Sequence, residues 1–166
     1  VRDAERGLLL SDYWPLISLV VVSALAAFAI AAGSGKVTMT SVMHAYMGVF
    51  LVFFALLKIF DLEEFMNGFA MYDLIAKRNS TWGYVYPFIE LALVLAYLAF
   101  LWPTATYIAT IIVFTFGAVG VVLGLRRGLD IACPCMGNVL SVPLSTVTLT
   151  EDVLMVAMAI MLLMRI

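Results

Sequence analysis

The sequence predicts an all-α fold, a polytopic membrane helical bundle of about five spans in one domain over residues 1–166. Three observations carry this reading. Hydrophobic residues make up 65% of the chain and charged residues 12%, against roughly 45–50% and about 25% in a soluble domain. The apolar residues gather into runs long enough to cross a bilayer. Short polar breaks separate those runs. The net charge is −2, and no basic run approaches a phosphate-binding patch, which argues against a nucleic-acid partner.

Taken in order, residues 1–12 are a charged, interfacial lead-in, and Tyr13-Trp14 place an aromatic belt at the first span, about 14–32. Its nineteen or so residues reach roughly 28 Å at 1.5 Å each. No A-x-A-type cleavage site follows and further spans do, so it reads as a span, not a signal peptide. Gly33-Ser34-Gly35-Lys36 is a tight turn.

The second span covers about 38–59, with His44 near its start and Lys58 near its end. Lys58 is expected to snorkel to the interface, and Asp61, three residues on, is in reach of a same-face pair. Over 62–78, Leu62, Phe65, Phe69 and Tyr72 recur at helical spacing among Glu63, Glu64, Asp73, Lys77 and Arg78. That pattern predicts an amphipathic helix lying along the membrane surface.

Asn79-Ser80-Thr81 reads as a loop before the third span, about 84–102, whose Pro87 is expected in the first turn. Trp102-Pro103-Thr104 is a hairpin into the fourth span, about 104–125. There Gly117, Gly120 and Gly124 form a smooth strip for close helix approach. A polar Cys loop over 126–143 follows. The last span is placed at about 145–165, although Thr148 and Glu151 have the spacing of a capping box that would start it later.

With five crossings, Arg2, Arg6, Lys58, Lys77, Arg78, Arg126 and Arg127 share one side, and only Lys36 and Arg165 lie opposite. The positive-inside rule then places the Cys loop in the cytoplasm of a bacterial-type inner membrane.

The Cys loop holds both cysteines, Cys133 and Cys135, on either side of Pro134. A disulfide between them closes a small, strained ring that is easily reduced. Pro134 keeps Cys133 extended, and Gly137 permits a turn after Met136. Free thiols here can attack a partner's disulfide, or bind a soft ion such as Hg(II) or Cu(I), with Met136 as an added thioether. Two cysteines do not supply the four ligands of a structural zinc site. The bland alternative is a pair of small residues at a membrane surface.

Among lone polar residues, Glu90 stands inside a span. It requires a proton, a water-filled cavity, or a partner such as His44, Lys58 or a span-end backbone group. His44 reads as an interface histidine more readily than as a ligand. Met155, Met158, Met161 and Met164 form a three-residue stripe, which reads as packing and would serve metal passage in the alternative.

Leu57-Lys58-Ile59-Phe60-Asp61-Leu62 with Phe65, Phe69 and Tyr72, then Tyr86-Pro87-Phe88-Ile89-Glu90, then Arg127-Gly128 leading to Cys133-Pro134-Cys135-Met136-Gly137, together resemble the MauE family, grouped with DoxX. The resemblance covers roughly residues 40–165. Met136 departs from the Cys-x-Cys-Phe-Gly often found there. The resemblance implies a DoxX-like four-helix core, to which the first span is an addition. It also implies a redox-active cysteine pair tied to disulfide maturation in methylamine utilisation, beside a glutaredoxin- or thioredoxin-like partner.

The expected function is thiol–disulfide exchange or electron transfer through Cys133 and Cys135, without a bound cofactor. Glu90, Lys58 and Asp61 are expected to shape or protonate the site. The alternative is a soft-metal handler using Cys133, Cys135 and Met136. A third reading is a scaffold that anchors a partner through the 62–78 helix and the glycine strip.

Overall fold

The computed structural model describes residues 13–127 and 144–165, with side chains from 147 onward in the second segment. Six helices follow one another: α1 Trp14–Gly33, α2 Met39–Phe60, α3 Leu62–Tyr72, α4 Ser80–Leu98, α5 Pro103–Arg126 and α6 Leu144–Leu163. No strand occurs among the described residues. Four of the helices, α1, α2, α4 and α5, are long and apolar enough to cross a membrane. The chain is thus a polytopic helical membrane bundle.

Helix α1 packs on α2, and its buried residues are Ser23, Ala27 and Ala31. These small residues recur every fourth position, which lets two backbones approach closely in lipid. The large apolar residues of α1, among them Val21, Leu25 and Phe28, are exposed, as suits side chains facing acyl chains. Helix α2 opens on a capping box: the Thr38 side chain accepts from the Ser41 amide, and the Ser41 side chain accepts from the Thr38 amide.

Helices α2, α4, α5 and α6 with α3 enclose the core. Lys58 of α2 meets Glu90 of α4, and His44 of α2 meets the carbonyl of Tyr97. The two helices therefore run antiparallel. They approach closely at Gly48, where a side-chain carbon would stand 3.0 Å from Leu98 Cδ2 and 3.3 Å from Tyr97 Cβ. Gly48→Val is expected to lower bundle stability by roughly 1–3 kcal/mol, the usual cost of forced overpacking, as read by thermal unfolding in detergent.

Several boundaries differ from the sequence reading for local reasons. Helix α4 starts at Ser80, because the Asn79 side chain accepts from the Thr81 amide and caps it. Pro87 thus lies inside α4, and not in its first turn. The amphipathic segment stops at Tyr72, since Asp73 turns its carboxylate onto the amides of Ile75 and Ala76 and starts a separate turn. Its apolar face does not lie on lipid: Phe65, Phe69 and Tyr72 are buried in the core. Thr148 and Glu151 lie inside α6 and are buried, so they do not form its N-terminal cap.

The α4–α5 hairpin holds two non-glycine residues with positive φ, Phe100 at 51° and Trp102 at 39°. Such conformations persist only where neighbours hold them, and the ring of Phe100 stacks on His44 at 4.0 Å between centroids.

Candidate functional site

Among the described residues, a buried polar cluster stands toward each end of the bundle. At the end where α2 begins, His44 is 2% exposed. Its Nε2 lies 2.7 Å from the Tyr97 carbonyl, which can only accept. That nitrogen therefore carries the proton, and Nδ1 accepts from the Tyr107 hydroxyl at 2.6 Å. The Tyr97 hydroxyl continues the network to Thr110 Oγ1 at 3.0 Å, which donates to the Thr106 carbonyl. His44 is thus a satisfied core histidine that ties α2, α4 and α5 together. The reading of it as an interface histidine is corrected.

At the opposite end, α2 closes with Lys58, 3% exposed, and α4 supplies Glu90, 1% exposed. Lys58 Nζ donates to both carboxylate oxygens, at 2.5 and 2.6 Å. The expectation that Lys58 snorkels to the surface or pairs with Asp61 is overturned. Its charge stays inside because Glu90 meets it there, a geometry that repays part of the desolvation. Asp61 instead caps α3, accepting from the Glu64 amide at 3.3 Å. Glu63 and Glu64 in that first turn favour the helix dipole.

Aromatic rings wall the pair. Lys58 Nζ stands 5.7 Å from the Phe65 ring centroid and 5.5 Å from that of Tyr86, within cation–π range. The rings of Phe65, Phe69 and Tyr86 pack on one another, with Phe69 and Tyr86 centroids 4.7 Å apart. A small cavity there is lined by Lys58, Tyr86, Gly117, Thr148 and Asp152, among others.

Asp152 of α6 is the residue the sequence reading missed. It is 3% exposed, and its Oδ2 has no hydrogen-bond partner among the described residues. A side-chain carbon on Gly117 would stand 3.1 Å from that oxygen and 3.5 Å from the Tyr86 hydroxyl. Two adjacent acids, Glu151-Asp152, within an apolar helix are the signal that could have found it, by the same reasoning that singled out Glu90.

The glycine strip is also taken up within the chain. Gly117 faces Asp152 and Tyr86, and Gly120 faces the backbone of Tyr72 and Asp73. At these two glycines the strip is an internal seam.

Cys133, Pro134, Cys135, Met136 and Gly137 lie outside the described residues. The segment that holds them joins the C-terminus of α5 to the N-terminus of α6. Both termini are at the Lys58 end, since Gly117 and Val121 line the same cavity as Asp152 and Thr148. Ten residues of helix separate Gly117 from Arg127, roughly 15 Å at 1.5 Å per residue. Of the methionine stripe, Met155 and Met158 are buried, whereas Met161 and Met164 are exposed. They do not form one line. No group of three His, Cys, Asp or Glu side chains is placed to hold a metal ion among the described residues.

Apolar spans around a buried ion pair, in which one ammonium meets both oxygens of a carboxylate, define a multi-pass helical membrane protein with a polar site at one end of its bundle. The family model described as methylamine utilisation protein MauE matches residues 36–165, and the chain belongs to the MauE family. The match begins after α1, so that helix stands outside the matched region. No curated protein and no solved structure matches the chain.

Proposed function

We propose that this chain is a membrane thiol–disulfide redox protein of the methylamine-utilisation type, with Cys133 and Cys135 as its redox pair. One observation carries the reading. The only two cysteines of the chain form Cys-Pro-Cys inside the region matched by the MauE family, in the segment entered from the bundle end that holds Lys58 and Glu90. In this proposal α6 serves as the fifth crossing, and the cysteine segment faces the cytoplasm of a bacterial-type inner membrane.

The exchange runs through a mixed disulfide. One cysteine thiolate attacks a disulfide of a glutaredoxin- or thioredoxin-like partner and expels a partner thiolate. The other cysteine then attacks the mixed disulfide, releasing the second partner thiol and leaving Cys133 and Cys135 joined. Two electrons pass to the partner, and the reverse sequence returns them. Strain in so small a ring makes the joined form a ready oxidant.

Intact mass with thiol alkylation, before and after a mild reductant, reads this directly. The expected result is a mass lower by two hydrogen atoms, with alkylation blocked until reduction. Cys133→Ser and Cys135→Ser are each expected to abolish exchange with the partner while leaving the bundle folded. Full exchange in both single variants would sink the proposal, and one Hg(II) or Cu(I) retained per chain by reduced thiols that never pair would replace it with metal handling.

A further inference from the structure

The ion pair leaves one buried acid over. Lys58 is the cation of the cluster, and Glu90 takes it with both oxygens. Asp152 lines the same cavity, buried, with Oδ2 unpartnered among the described residues. A buried carboxylate whose neighbouring ammonium is already held by both oxygens of another acid, and one of whose own oxygens has no donor, is disfavoured as an anion and takes up a proton instead. The cavity beside it measures about 10 Å³. That is at the threshold for a single water, roughly 10–15 Å³, which also needs two or more polar neighbours. Asp152 and the Tyr86 hydroxyl provide them around Gly117.

We propose that Lys58, Glu90 and Asp152 form a proton-binding site in the bundle core, in which Asp152 carries the proton and one water links it to Tyr86. The neighbouring elements leave this assignment intact. Helix α2 presents Lys58, and α4 presents Glu90 and Tyr86. Among the described residues that line the cavity, α3 presents the phenol of Tyr72, α5 presents Gly117 and Val121, and α6 presents the Thr148 hydroxyl with Asp152. The Asp73 carboxylate is engaged by the amides of Ile75 and Ala76. Glu151 lines a separate cavity with Tyr13, Phe50 and Phe54. Arg126 and Arg127 are exposed at the end of α5. Among these described residues the carboxylates, Glu90 and Asp152, outnumber the lysine by one, and one protonated acid balances the cluster.

This site goes beyond the thiol reading and does not depend on it. Infrared spectroscopy of the purified full chain in detergent counts protonated carboxylic acids through their carbonyl stretch at neutral pH. Asp152→Asn is expected to remove one acid per chain. Glu90→Gln is expected to remove one as well, because Lys58 then takes Asp152 as its partner. Lys58→Met is expected to add one. Gly117→Ala, a small change that displaces the water, is expected to shift the Asp152 band without removing it. Because each result is a difference between chains, an acid band from Glu151 cancels. An unchanged band in Asp152→Asn, or no added acid in Lys58→Met, overturns the proposal. Should Asp152→Asn fail to fold, Glu90→Gln and Gly117→Ala decide the matter, and an unaltered band in both overturns it. The same spectra are expected from the chain with both cysteines replaced by serine, so a failure of the thiol chemistry would leave this result standing.

Discussion

Lys58→Ala is expected to destabilise the bundle by about 3–5 kcal/mol, the range for removing one partner of a buried ion pair. The loss is large because of what remains. Glu90 is 1% exposed, and with the donor gone it must stay in the core without its partner and take up a proton. A surface pair of the same composition would contribute less than about 1 kcal/mol. Glu90→Gln is expected to cost clearly less than Lys58→Ala. Asp152 lines the same cavity and can receive the ammonium, whereas among the described residues of the cluster no second cation can receive Glu90. Removing both charges together, as in Lys58→Met with Glu90→Leu, is expected to restore most of the loss, since apolar pairs of similar volume often equal a buried ion pair. Unfolding in mixed detergent–SDS micelles checks the series. Equal costs for Lys58→Ala and Glu90→Gln would show that Asp152 does not share the cation.

The class of fold was legible in composition and in the length of the apolar runs, because a membrane span is a demand on about 20 consecutive residues. Pairing was less legible, for physical reasons. Lys58 lies near a helix end, where a long side chain ordinarily reaches water. The packing of Phe65 from α3 and Tyr86 from α4 around the ammonium shuts that route. The helical spacing of Phe65, Phe69 and Tyr72 was plain in the sequence, but periodicity does not distinguish an apolar face laid on lipid from one laid on protein. Glu90 was singled out because a carboxylate in a span needs an explanation, and Lys58 was among the partners it admitted. Asp152 escaped notice because the last span was argued from its ends, between a start near 145 and a capping box at Thr148 and Glu151 that favoured a later one. In α6, which begins at Leu144, the acid lies two turns inside the helix and needs the same explanation as Glu90. Asp61 was misread for the converse reason: as a capping residue between two helices it has local work to do, and local hydrogen bonds outcompete a pair that would draw Lys58 outward.

The second large effect is expected at Phe69. Phe69→Ala should cost roughly 3–5 kcal/mol, the range for deleting a buried phenylalanine. Phe69 is 2% exposed, and its ring touches three others, those of Phe65, Tyr72 and Tyr86. Helix α3 is only eleven residues long, too short to be stable apart from its packing. Its hold on the bundle depends on the buried face of Phe65, Phe69 and Tyr72. The loss is therefore expected to concentrate in α3, with faster amide exchange there before the longer helices α2 and α5 change. Because Phe65 and Tyr86 flank the Lys58 ammonium, loosening α3 admits water to the ion pair, and Lys58 should become reactive to amine-directed labels that do not reach it in the unaltered chain. Uniform acceleration of exchange across all helices, with Lys58 still protected, would mean that α3 and the bundle unfold as one unit, and that the aromatic wall is not the seal over the charged core.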